Sequence, residues 1–154
     1  VNMYRNRMTH PNIASDRILK LEDDEVFVFG SNLAGHHAGG AARIAFESFG
    51  AVWGIGVGLT GRAYAIPTMH GGVDDIKPYV DQFIEYADKN RHYKFLVTRI
   101  GCGIAGFTDE EIAPLFKGCL NMDNVFLPQS FHNIITKSQS ANNVMTPSLM
   151  GDPQ

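Results

Sequence analysis

The sequence predicts a single α/β domain built on a mixed, largely parallel sheet. Two observations carry this. Short, continuously apolar runs, Val26-Phe27-Val28-Phe29 and Phe95-Leu96-Val97-Thr98, read as strands buried on both faces. Each is followed by a glycine-rich loop and then by helical periodicity, the alternation of an α/β chain. At 154 residues the chain has room for one domain, with a core large enough to fold without disulfides or metals.

The elements follow in order. Residues 1–22 are polar and mixed, contain Pro11 and hold no sustained period, so they are expected to form an arm or an edge element. The domain proper is expected over residues 23–128. Its first strand, Val26 to Phe29, is entered from acidic Glu22 to Glu25 and ends at Gly30-Ser31-Asn32. From Ala38 to Phe49, Ala41, Ala42, Ala45, Phe46 and Phe49 recur at helical spacing, with Gly50 in the C-cap place. Glycines then fall at nearly alternate positions from Gly54 to Gly61, and Ala63 to Pro67 reads as a strand stopped by its proline.

A second helix is expected from about Asp75 to Asn90, burying Ile76, Val80, Phe83, Ile84 and Ala87. Asp75 as N-cap puts Pro78 in the first turn, where no intrahelical N–H is needed. Thr108-Asp109-Glu110-Glu111 is a capping box that starts a third helix, and Pro114 predicts a kink or a later start. Val125 to Pro128 is a last short strand. Residues 129–154, rich in Ser, Asn, Gln and Pro, are expected to be a weakly ordered tail.

Composition narrows the class of function. The net charge of −3, with no Lys/Arg run, gives no footprint for nucleic acid or an anionic membrane. No stretch approaches the roughly 18 apolar residues of a membrane span. Cys102 and Cys119 fit neither a disulfide framework nor a zinc site, which favours a reducing, cytoplasmic setting with no metal and no cofactor. The start at Val1 rather than Met leaves a processed N-terminus open.

Two loops carry the chemistry. In the first, Gly30 to Ala42, Gly39 and Gly40 stand at a helix entrance. Their backbone can approach a ligand closely, and first-turn N–H groups lack intrahelical partners. The helix dipole adds about half a positive charge there, which suits a diphosphate. The pattern is neither GxGxxG nor a P-loop. The second loop, Arg99 to Phe107, again follows a buried strand and places three glycines in six residues: Gly101, Gly103 and Gly106. One such loop is explained equally well by tight packing. Two at equivalent sheet positions favour a phosphate-bearing ligand beyond the strand ends.

Ala38-Gly39-Gly40-Ala41-Ala42, followed by a helix ending at Phe49-Gly50, resembles the glycine cluster of macro domains. Arg99-Ile100-Gly101-Cys102-Gly103, then Gly106 and a helix, is similar to that family's second phosphate loop, in the version of the ADP-ribosyl-deacylating branch. Gly61 through Pro67 matches the intervening strand more weakly. Phe29-Gly30-Ser31-Asn32-Leu33-Ala34-Gly35 is also similar to a phage-associated macro-like family. The matches run from about Val26 to Phe126. The resemblance implies a three-layer α/β/α sandwich that holds ADP-ribose or a related NAD-derived nucleotide. Its diphosphate would lie between Gly39-Gly40-Ala41 and Gly101-Cys102-Gly103-Ile104-Ala105-Gly106, with Asn32 near the distal ribose and Phe107 against the ligand. Gly30, Ser31 and His37 complete the ligand-binding set. Ala105 stands where deacylating relatives carry an acid, and no lysine lies between Arg62 and Thr68, so that hydrolytic mechanism does not carry over.

Among individual residues, Asn32, His36 and His37 are the catalytic candidates. Asn32 can orient a ribose or water, or merely cap its turn. Histidine suits general acid or base work or donation to phosphate, and as neighbours on a turn the two side chains diverge, so at most one faces the pocket. Loop N–H groups would lower the Cys102 pKa and favour a nucleophile, although small-residue packing is the simpler role. Arg99 reads equally as a phosphate partner or a structural ion pair. Trp53 and Tyr64 are expected in the core or sheet. Three functions follow: nucleotide binding with or without hydrolysis of an ADP-ribosyl linkage, a non-catalytic nucleotide sensor or sequestering protein of phage origin, and a protein-interaction module.

Overall fold

A computed structural model of the chain describes residues 12–151. The expected α/β architecture is found. Among the described residues, six strands form one sheet in the order β1-β6-β5-β2-β4-β3, with β1 at Ile13–Ala14, β2 at Glu25–Ser31, β3 at Gly58–Thr60, β4 at Ala63–Pro67, β5 at Lys94–Val97 and β6 at Val125–Pro128. All pairings are parallel except β3 with β4. The antiparallel β3, hidden in sequence by its glycine-rich approach, makes the sheet mixed.

Strand alternation assigns the two faces. Val26, Val28, Tyr64, Ile66, Phe95, Val97, Val125 and Leu127 point to one core. Phe27, Phe29, Ala63 and Ala65 point to the other. The first core is closed by helix α2 (Val73–Lys89), a 3-10 segment (Ala113–Cys119) and helix α4 (Gln129–Gly151). The second is thinner. Helix α1 (Gly40–Ser48) lays Ala42 and Ala45 on the sheet, with Phe49 just beyond its end, so small residues let it sit close above the Phe27 and Phe29 rings. This gives the three layers of an α/β/α sandwich.

Helix ends follow local chemistry, with corrections. Helix α1 ends as expected: Phe49 is its C-cap and Gly50 takes a left-handed φ of 80°. Helix α2 begins at Val73 rather than Asp75, because Asp75 reaches back to accept the Gly72 N–H at 2.9 Å instead of capping forward. Pro78 is therefore the sixth helical residue and leaves the Asp74 carbonyl without its usual amide; both residues lie on the exposed side. The third helix, α3, lasts only from Asp109 to Ile112 before the chain tightens into the 3-10 segment at Ala113-Pro114, the break that Pro114 predicts.

The boundary at 128 does not hold. Gln129 opens α4, and Phe131 and Ile135 are buried in the first core. The polar composition of this segment masked an i, i+4 pair that the core requires. At the other end, Ile13–Ala14 pairs with β6 as an edge strand, while residues 1–11 of the expected arm lie outside the described residues.

Candidate functional site

The loops leaving β2, β4 and β5 enclose a groove of about 440 Å³ at the carboxyl edge of the sheet. Its size suits a small organic ligand. Gly30 is where these loops converge: a Cβ there would stand 3.3 Å from Thr68 Oγ1 and 3.5 Å from the Gly101 amide nitrogen. Of the residues expected from sequence, Gly30, Ser31, Asn32, His36, Gly39, Gly40 and Ala41 line it from the first loop. Gly101, Cys102, Gly103, Ile104 and Ala105 line it from the second.

The two loops face each other through backbone. Gly40 takes a left-handed φ of 59° and is followed by helical Ala41, a concave arrangement of successive amides that suits an anion. Among the described residues, the amides of Gly39, Gly40 and Ala41 find no protein acceptor, nor do those of Gly103, Ile104 and Ala105. Six donors without partners thus border one groove, one set of them at the positive end of α1. Other amides of the loops are spent on the fold: Gly35 N–H donates to Asn32 O at 2.9 Å, Cys102 N–H to Arg99 O at 3.1 Å, Gly106 N–H to Gly103 O at 3.0 Å, and Phe107 N–H to Gly101 O at 2.9 Å.

Side chains of the first loop are mostly committed to holding it. The Ser31 hydroxyl donates to Gly56 O at 2.5 Å. The Asn32 amide is used twice by one residue, accepting from the His36 N–H at 2.8 Å and donating to the His36 carbonyl at 3.0 Å. Asn32 is therefore a clamp on His36, the turn-capping alternative of its two readings. The histidines diverge as adjacent side chains must. His36 is exposed at the groove, while His37 is 1% exposed, hydrogen-bonded through Nε2 to Val52 O at 3.0 Å and set edge-on to Phe29. His37 does not line the groove; an aromatic seat beneath the loop captured it.

The second loop departs from expectation at its end. Phe107 does not line the groove but packs on the first core, because the Phe107–Gly101 backbone bond folds it back. Gly106 shapes that return with a φ of 84° and also lies outside the groove lining. Arg99 lines the groove and forks onto Asp109, with Nη2 to Oδ1 at 2.8 Å, which pins the loop to the start of α3. This pairing holds the Asp109 carboxyl below its ordinary pKa. Cys102 has the opposite fate. Burial first, then the neighbouring Asp109 carboxylate, pushes its thiol up to about 12, so the expected activation by loop amides is outweighed.

Thr68, Met69 and Thr98 also line the groove and were not singled out in sequence. Their signal was positional only: each follows the end of a parallel strand. Trp53, expected in the core or sheet, sits in a loop and is 48% exposed, whereas Tyr64 is buried in β4 as expected.

Compared with known proteins, the chain matches no family model, no curated protein and no solved structure. Among the described residues no helix is long and apolar enough to cross a membrane, and no group of three His, Cys, Asp or Glu is placed to hold a metal ion.

Proposed function

We propose that this protein binds ADP-ribose or a related NAD-derived nucleotide, with the diphosphate between Gly39-Gly40-Ala41 and Gly103-Ile104-Ala105. The observation that carries the reading is the convergence of six unpartnered amides on one groove beyond the ends of parallel strands. The macro-domain resemblance of the two loop sequences supports the same ligand class. Calorimetry with ADP-ribose tests it. Heat on binding and a rise in Tm are expected, both abolished by Gly40→Glu, which places bulk and negative charge among the donors. No heat and no thermal shift at millimolar ADP-ribose would overturn the proposal.

Binding without turnover is the form the groove chemistry favours. Of the titratable side chains lining it, Arg99 is tied to Asp109 and the Cys102 thiol is held protonated, which leaves His36 without an acidic partner there. A general acid and base pair is therefore missing from the lining. A sensor or sequestering role fits this arrangement. Mass spectrometry of the ligand after prolonged incubation should return it intact; a cleaved product would reverse this half of the reading.

A further inference from the structure

Trp53 is an unusual use of an indole. It is 48% exposed, yet three rings fix it: His36 at 5.5 Å and 17°, Phe46 at 5.4 Å and 68°, and His37 at 6.3 Å and 73°. Its loop is bonded to the first glycine loop by Gly54 N–H to Gly35 O at 2.9 Å. His37 in turn seats on Phe29 of β2, so the cluster is anchored in the core. An indole that only filled a gap between loops would be largely covered.

His36 completes the arrangement. One face of its ring lies nearly parallel to the indole, and the Asn32 clamp holds both of its backbone polar groups. Among the described residues, its ring nitrogens have no hydrogen-bond partner. The result is a flat ring, pre-positioned and backed by a second flat ring, on the lip of the groove. It stands four residues before Gly40, at most about 14 Å along the chain. A nucleotide, whose base and phosphate are separated by one sugar, can reach from one to the other.

We propose that the His36 side of the groove is a stacking platform for a planar heteroaromatic ring carried by the ligand, with the imidazole as contact face and Trp53 as its backing. The proposal rests on the reading of the groove as a nucleotide site and adds that a ring at this end sets specificity. Stacking suits any flat π-system, so adenine and nicotinamide share the chemistry.

Trp53 is the sole tryptophan of the chain, so its emission reports on the platform directly. Titrations with pyrophosphate, ribose 5-phosphate, ADP, ADP-ribose, nicotinamide mononucleotide and NAD+ are followed by calorimetry and by fluorescence. Ring-bearing ligands should shift or quench the emission and bind about tenfold or more tighter than their ring-free counterparts. His36→Ala should reduce that margin to less than about threefold, and His36→Phe, which keeps a flat ring, should restore most of it. A response to ADP assigns adenine to the platform; one confined to nicotinamide mononucleotide and NAD+ assigns nicotinamide. Pyrophosphate binding with no added gain from any ring, or a margin unaffected by His36→Ala, overturns the platform alone. Failure of every ligand, pyrophosphate included, overturns the platform together with the groove reading.

Discussion

Ile104 and Gly39 meet across the groove: a Cβ built on Gly39 would stand 3.2 Å from the Ile104 Cδ1, and one built on Gly40 would stand 3.7 Å from it. Ile104 is 73% exposed, so this contact contributes little burial to the fold. Its side chain reaches across to the start of α1, beside the amides of Gly39 and Gly40. Ile104→Glu would direct a carboxylate at the same amides and compete with a phosphate, while favouring the helix dipole. Tm should be unchanged or slightly higher, and ADP-ribose affinity should fall about tenfold or more. Parent-like affinity in calorimetry would remove these amides from the site.

The thiol of Cys102 should be inert despite its glycine-rich loop. With its pKa pushed up to about 12, almost no thiolate exists at neutral pH. Labelling with iodoacetamide at pH 7.5 should leave Cys102 unmodified in the folded protein and modify it once the chain is unfolded in denaturant. Rapid labelling of the native protein would contradict the burial and the Asp109 contact that raise it.

Asp109 links pH to stability. Its folded pKa is depressed, first by the hydrogen bond from Arg99, so its contribution is present above the unfolded value of about 4 and is lost as pH falls through the folded value. Asp109→Asn should lower stability at pH 7 by about 1 kcal/mol, with a gap that narrows below about pH 4. Urea melts across this range check it; a constant gap would mean that the carboxylate charge is not what matters.

Phe131 should behave as a core residue although it lies in a polar stretch. It is fully buried against Phe116, with ring centroids 5.7 Å apart. Phe131→Ala is expected to destabilise by about 3–5 kcal/mol. A chain ending at Pro128 should lose cooperative thermal unfolding. A loss below about 1 kcal/mol would return this segment to the status of a tail.

Much of the fold could be read from local patterns. Val26 to Phe29 is apolar on both sides because both sides are covered, and Gly50 ends α1 through the φ it adopts. Pro114 broke its helix where a missing N–H must. What escaped notice depended on distant partners. β3 has no strand signature in Gly58-Leu59-Thr60 and exists because β4 supplies its hydrogen bonds. Phe131 and Ile135 were outvoted by polar neighbours. At the site, the positions of both loops were legible, since glycine clusters after buried strands are local. The division of labour was not: the capture of His37 by Phe29 and Val52, and the folding back of Phe107, are decided by tertiary neighbours that spacing does not reveal.

Among the described residues, the sheet begins and ends in stubs: β1 is two residues long and β3 is three. Edges this short offer very few open backbone groups to another chain. The inner strands β2, β4, β5 and β6 each have a strand neighbour on either side in the sheet order, although Val125 and Phe126 of β6 pair with β5 alone. Among the described residues, edge-to-edge strand pairing is therefore a poor route to self-association for this fold.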